Sequence, residues 1–331
     1  MIKYLIFIFL IFFSCSSYNL TVITTKVNKN RYENEAILLG ERLFFDPILS
    51  ANGMKSCASC HNPQLAFTDG YRKSIGVEGD VLRRNAPTLV NLSTYNFFTY
   101  GDTSLTTLEA QIHLPLFSNN PKEMGASGNE KQILERIKIN PQYTSLFYKT
   151  FKVKKNDIRF DVIIKALAAF CRSIESYNTP FDTFENGDST ALSLSAQRGM
   201  NLFYSPKTKC GRCHGGNNLN ATDEFFNIGL DLDDALSSDK GLFEKTQNKA
   251  DLGAFRVPSL RNIAVTAPYM HDGRFETLEQ VMRFYEQGGM PNAYKSDFIQ
   301  PFTLTDDERL DMINFMYSLT DSAFLSHYKH D

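Results

Sequence analysis

The chain has 331 residues, long enough for two domains of ordinary size, each with its own core. A formal net charge of −2 and the lack of any basic block speak against nucleic acid as a partner. Tryptophan is absent, whereas 27 phenylalanines and 15 tyrosines supply flat rings that suit either ordinary core packing or a large planar ligand.

The first residues read as an export signal: Lys3 gives the positive charge, Tyr4 to Phe13 the apolar run, and Ser14-Cys15 the small residue and cysteine. The run is too short to span a bilayer comfortably. "FFSC" resembles a bacterial lipobox, which implies a lipoprotein signal over 1–15, a lipidated Cys15 and a polar tether over 16–32. A plain secretory signal is the alternative, and both place the folded part outside the cytoplasm.

The motif "SCASCH" follows, with Cys57 and Cys60 three apart and His61 behind. It recurs as "KCGRCH", with Cys210, Cys213 and His214. The segments leading into the two motifs, "GERLFFDPILSANGMK" and "GMNLFYSPKT", share a Gly-x-x-Leu-Phe run and a Pro-containing turn, so the plan is duplicated. Between the copies, the apolar spacing of "VIIKALAAFCRSI" predicts a helix over 162–174 that buries Cys171 as a free thiol. The polar stretch "NTPFDTFENGDSTALS" places a boundary near residue 186, between domains 33–185 and 186–331. Further on, Thr277 opens a helix with Leu278, Val281, Met282 and Tyr285 on one face, and Thr305 with Glu308 forms a capping box. Alternating runs are scarce, so the expected fold is all-α with long loops.

A structural zinc site needs four ligands, commonly two close pairs. These pairs stand about 150 residues apart. A thioredoxin-like C-x-x-C sits beside a βαβ pattern, and none is visible. Neither alternative explains a histidine behind both pairs. Haem attachment does: two cysteines at i and i+3 take the two vinyl groups as thioethers, and the next histidine faces the iron. Two c-type haems are expected, on Cys57, Cys60 and His61 and on Cys210, Cys213 and His214.

With "GERLFFDPILS", "RRNAPTLVN", "NPKEMG" and "FRVPSLRNIAVTAPYMHDGRFETLEQV", the chain from about Ala36 to Thr320 resembles the bacterial dihaem cytochrome c peroxidases and their MauG-type relatives. The resemblance implies two cytochrome c-like domains. The first haem meets hydrogen peroxide, and the second takes electrons from a small cytochrome c or cupredoxin. The classical capping histidine after "SIG" aligns with Val77, which cannot ligate, so an open first iron is implied; His113 is the one nearby substitute. Gln111 and Glu123 match the family's acid/base pair over that iron. Fourteen residues after His271, where the classical relay haem takes methionine, stands Tyr285, as in MauG-type proteins; Met282 and Met270 are the alternatives. Asn85, Thr266 and Pro268 match the family's calcium site, and Tyr100 stands where it has an interhaem tryptophan. The implied activity is reduction of peroxide to water. MauG-type oxidation of a partner protein and a non-catalytic dihaem electron carrier are the competing readings, and a homodimer is left open.

Overall fold

In the computed structural model, residues 33–220, 224–232 and 239–328 are described; Cys15, the signal and the tether lie outside them. The fold is helix-rich. The named sheet among the described residues is a two-stranded antiparallel ribbon, β1 (Phe225–Phe226) and β2 (Phe255–Arg256).

The first half opens with α1 over residues 33–45, followed by α2 (Leu108–Phe117), α3 (Glu130–Ile139), α4 (Pro141–Phe151) and α5 (Phe160–Ser173). The expected helix around Cys171 is α5. Eight of its side chains are buried, Cys171 among them, and burial of each large aliphatic contributes about 1.5–3 kcal/mol. Leu39, Leu43 and Phe44 of α1 join α5 in a core that runs to Ile174.

α6 (Pro180–Glu185) precedes the expected boundary near residue 186, yet its Phe181 packs in the core of the second half, which holds α7 (Leu194–Phe203), α8 (Cys210–Cys213), α9 (Phe243–Thr246), α10 (Leu278–Glu286) and α11 (Asp306–Tyr317). Its core runs from Phe181 to Leu319. Thr305 caps α11 in the reciprocal arrangement expected from sequence, and Thr277, expected to open α10, does so with a reciprocal box of its own through Gln280. The last helix, α12 (Ser322–His327), returns to the first half, where Phe324 and Tyr328 pack on Phe67 at 6.1 and 5.1 Å between ring centroids.

The duplicated Gly-x-x-Leu-Phe run is one packing device used twice. A Cβ on Gly40 would stand 1.9 Å from the Ala166 carbonyl oxygen of α5. One on Gly199 would stand 2.0 Å from the Asp311 carbonyl oxygen of α11. Only glycine lets each helix pair cross so closely, and the Leu-Phe that follows carries the chain toward a cysteine motif.

A buried polar network joins the halves. Asn91 donates through Nδ2 to Asn218 Oδ1 at 3.0 Å and to the Ser176 carbonyl at 3.1 Å. Ser176 Oγ donates to Asp321 Oδ2 at 3.1 Å and accepts from Asn262 Nδ2 at 3.0 Å. Each member has a partner, so the network fixes one mutual arrangement rather than penalising burial. At the rim, Arg84 forks onto Asp239 at 2.7 and 2.9 Å, with Arg83 beside it on Glu244.

Candidate functional site

Both cysteine motifs are single tight turns. Cys57–Ser59 forms a 3-10 turn in which His61 N–H donates to the Cys57 carbonyl at 3.0 Å; in α8 the His214 N–H donates to the Cys210 carbonyl at 2.9 Å. Each turn brings two thiols and an imidazole to one local surface. All five described cysteines are free thiols, and no group of three or more His, Cys, Asp or Glu among the described residues could hold a metal ion. The two motifs therefore do not assemble one four-ligand zinc site.

The two histidines are oriented alike. His61 Nδ1 lies 2.9 Å from the Phe67 carbonyl, and His214 Nδ1 lies 3.2 Å from the Leu219 carbonyl. A carbonyl can only accept, so Nδ1 carries the proton in both rings and Nε2 keeps its lone pair for a metal. Burial lowers the His61 pKa, and lowers that of His214 to about 4, which keeps both imidazoles neutral. Phe67 (φ 61°) and Leu219 (φ 51°) hold these carbonyls in left-handed conformations. The sequence motifs do not reveal either residue, because each acts through its backbone.

Around the first motif, burial raises the Cys57 thiol pKa to about 12, with Cys60 and then Glu123 adding to the rise. Glu123 thus lies within electrostatic reach of the attachment turn. Burial also raises the Glu123 pKa, and the charge of Lys55, a residue the sequence reading did not single out, opposes the rise. The Glu123 loop folds back on α2: Met124 N–H donates to the Pro115 carbonyl at 3.0 Å and Ala126 N–H to Leu116 at 2.8 Å. One turn earlier on α2, Gln111 Oε1 is buried without a hydrogen-bond partner among the described residues. Val77 N–H donates to the Glu123 carbonyl. His113 is exposed and stacks on Phe117 at 4.4 Å, on the outside of α2.

The second motif opens into a cavity of about 230 Å³ whose wall includes Cys210, Cys213, His214, Met282 and Tyr285. Met270 and His271 line it too, so all three candidate sixth donors face one space. Burial raises the Tyr285 pKa, and the charges of Cys213 and Cys210, on the same cavity wall, raise it further. The same wall carries Tyr100 together with Asn85, Thr266 and Pro268. Asn85 N–H donates to the His271 carbonyl at 2.8 Å and Asn85 Nδ2 to Tyr71 at 2.9 Å.

The residues fit a haem at each motif. The thiol pairs and the Nε2 donors at both motifs, with the largely apolar cavity at the second, match a covalently held macrocycle, and Gln111 Oε1 has no donor among the described residues. No helix among the described residues is long and apolar enough to cross a membrane.

Residues 34–190 match the family described as di-haem cytochrome c peroxidase. The chain is 35% identical to "Cytochrome-c peroxidase IdrP1" of Denitromonas iodatirespirans, over 88% of this chain and 83% of that protein. It is 36% identical to "Methylamine utilization protein MauG" of Methylorubrum extorquens, over 86% of this chain and 78% of that one. A crystal structure of a MauG-like protein associated with microbial copper homeostasis superposes with a TM-score of 0.84 at 38% identity, covering 88% of this chain and 91% of the other. With the duplicated haem-attachment turns, these likenesses place the chain in the dihaem cytochrome c peroxidase and MauG family.

Proposed function

We propose that the chain is an exported, lipid-anchored dihaem peroxidase that reduces hydrogen peroxide to water with electrons from a small cytochrome c or cupredoxin. Haems bound at the two motifs would supply the iron and the electron route. The chain's own residues supply the proton chemistry. The observation that carries the reading is the Gln111 side-chain carbonyl, buried without a donor among the described residues on the helix against which the Glu123 loop folds. A peroxide O–H is the kind of donor it lacks. Glu123 would take the proton from one peroxide oxygen and return it to the other, so that water leaves as the O–O bond breaks. A plain electron carrier has no use for such a pair.

In this reading the halves 33–185 and 186–331 carry the peroxidatic and electron-accepting haems. Val77 would leave the first iron uncapped, Tyr285 would ligate the second, and Tyr100 would lie on the path between them. Asn85, Thr266 and Pro268, gathered on one wall, would hold a calcium ion through an amide and backbone carbonyls. The deciding experiment is steady-state turnover of peroxide with a reduced cytochrome c or cupredoxin. An enzyme carrying both haems that passes electrons but leaves peroxide untouched would be the carrier instead.

One observation favours the MauG-type reading, oxidation of a partner protein. Tyr285 lines the cavity, and no hydrogen bond within the described residues engages its hydroxyl, as suits a phenolate ligand to iron. Peroxide consumption that requires a protein substrate and no reduced donor would select it.

A further inference from the structure

Among the described residues, the charges on the wall of the second cavity do not balance. Of its acids, Asp239 is held by Arg84 at 2.7 and 2.9 Å, and Asp231 by Arg274 at 3.0 Å. Of its cations, Lys209 is exposed to solvent. Arg256 is different: it lines the cavity, is 5% exposed, and forms no ion pair with any described residue. Its Nε donates to the Thr99 carbonyl at 3.1 Å and its Nη1 to the Val257 carbonyl at 3.4 Å. Its guanidinium carbon lies 4.3 Å from the centroid of the Tyr95 ring. No hydrogen bond within the described residues uses Nη2. A guanidinium taken out of water without a counter-anion is costly, and a ring and two carbonyls offset only part of that cost.

Such a residue marks the place of an absent anion. The proposed function supplies one, and the inference rests on that reading. A c-type haem is attached through its vinyl groups, so its two propionates are the only charged groups left on the macrocycle. We infer that Arg256 is the counter-cation for a propionate carboxylate of the group attached at Cys210 and Cys213. The planar fork of arginine suits a carboxylate, and Arg256 is fixed from behind by Thr99 and Tyr95 before the ligand arrives. Since Thr99 and Tyr95 belong to the first half, the pair also couples the seat of the second haem to the contact between the halves. Arg256 is thus a positioning residue that sets the potential of the second haem: a nearby cation stabilises the form that has gained an electron.

The test uses the full-length protein with both haems attached, their stoichiometry checked first, and measures each midpoint potential by spectroelectrochemistry. In Arg256→Gln the second haem should move to lower potential while the first stays in place, and Arg256→Lys should recover most of the shift. Wild-type potentials in a fully loaded Arg256→Gln protein would overturn the inference. So would equal shifts in the Gln and Lys variants, because lost packing on Tyr95 rather than lost charge would then be the cause. Should Arg256→Gln fail to load, Arg256→Lys is compared with wild type by resonance Raman. A displaced propionate bending band supports the pair, and an unchanged band overturns it. A wild-type protein lacking haem at Cys210 and Cys213 would instead overturn the proposed function, and this inference with it.

Discussion

Val77 donates its backbone N–H to the carbonyl oxygen of Glu123 at 2.9 Å. A second bond, from Asn52 Nδ2 to the Val77 carbonyl at 3.2 Å, holds the other side of the same residue. A Cβ on Gly125 would stand 3.0 Å from Val77 Cγ1, so the valine side chain packs against the loop that carries the proposed acid. The position where the resemblance implies a capping histidine is thus tied to the proposed acid/base loop and offers no donor atom.

The all-ferric protein is therefore expected to show a high-spin first haem and to react with peroxide before any reductant is added. Val77→His should convert part of that haem to low spin and introduce a lag that reduction relieves. EPR and stopped-flow absorbance check both. Two low-spin irons and no reaction in the oxidised wild type would show that another residue caps the site, and exposed His113 would not be the natural suspect.

Glu123→Gln should lower peroxide turnover by about 10²–10⁴-fold with both haems still attached. Burial raises the Glu123 pKa, so its carboxylate form is lost at a higher pH than for an exposed glutamate, whose value is about 4.3. As pH falls through that raised value, kcat/KM should fall, and the acidic limb should vanish in the variant. A limb that persists in Glu123→Gln belongs to a different group.

Tyr285→Phe should open the second iron and raise its potential, since the charge-donating phenolate is gone. Visible and EPR spectra with redox titration read the change. A methionine-to-iron charge-transfer band in the visible spectrum of the unaltered ferric protein would point to Met282 or Met270.

Asp239→Asn should loosen the joint between the halves and cost about 1.5–3 kcal/mol in chemical denaturation, the range for charged hydrogen bonds. Burial alone would raise the Asp239 pKa, but the hydrogen bonds and charge of Arg84, with Arg83 behind it, outweigh burial and hold it below the ordinary value. A depressed pKa contributes stability above the unfolded value, about 3.9, and loses it as pH falls through the folded one. The wild-type advantage over the variant should hold at neutral pH and shrink below about pH 4. An advantage independent of pH would assign the effect to packing.

Cys15→Ala should release the protein from the membrane fraction, as the proposed lipid anchor requires. A wild type already fully soluble after export would refute the anchor.

The sequence alone determined the chemistry that depends on neighbours in the chain. Two thiols three apart with a histidine behind them define an attachment turn wherever the chain places it. The capping box at Thr305, the helix start at Thr277 with its apolar face, and the apolar spacing around Cys171 are equally local, so α11, α10 and α5 were legible from their own residues. The Gly-x-x-Leu-Phe repeat was visible as a pattern. That Gly40 and Gly199 are close helix crossings was not, because the carbonyls they meet belong to Ala166 and Asp311, more than 100 residues away. Only the tertiary structure gathered Tyr285, Met282, Met270 and Asn85 around one cavity, left Gln111 Oε1 without a donor, and set His113 on the outside of its helix. It alone brought Phe324 back to the first half and buried Arg256 between Tyr95 and the second motif. Burial, an unmet hydrogen bond and an unpaired charge are relations between distant segments, and a residue's own identity and spacing carry no record of them.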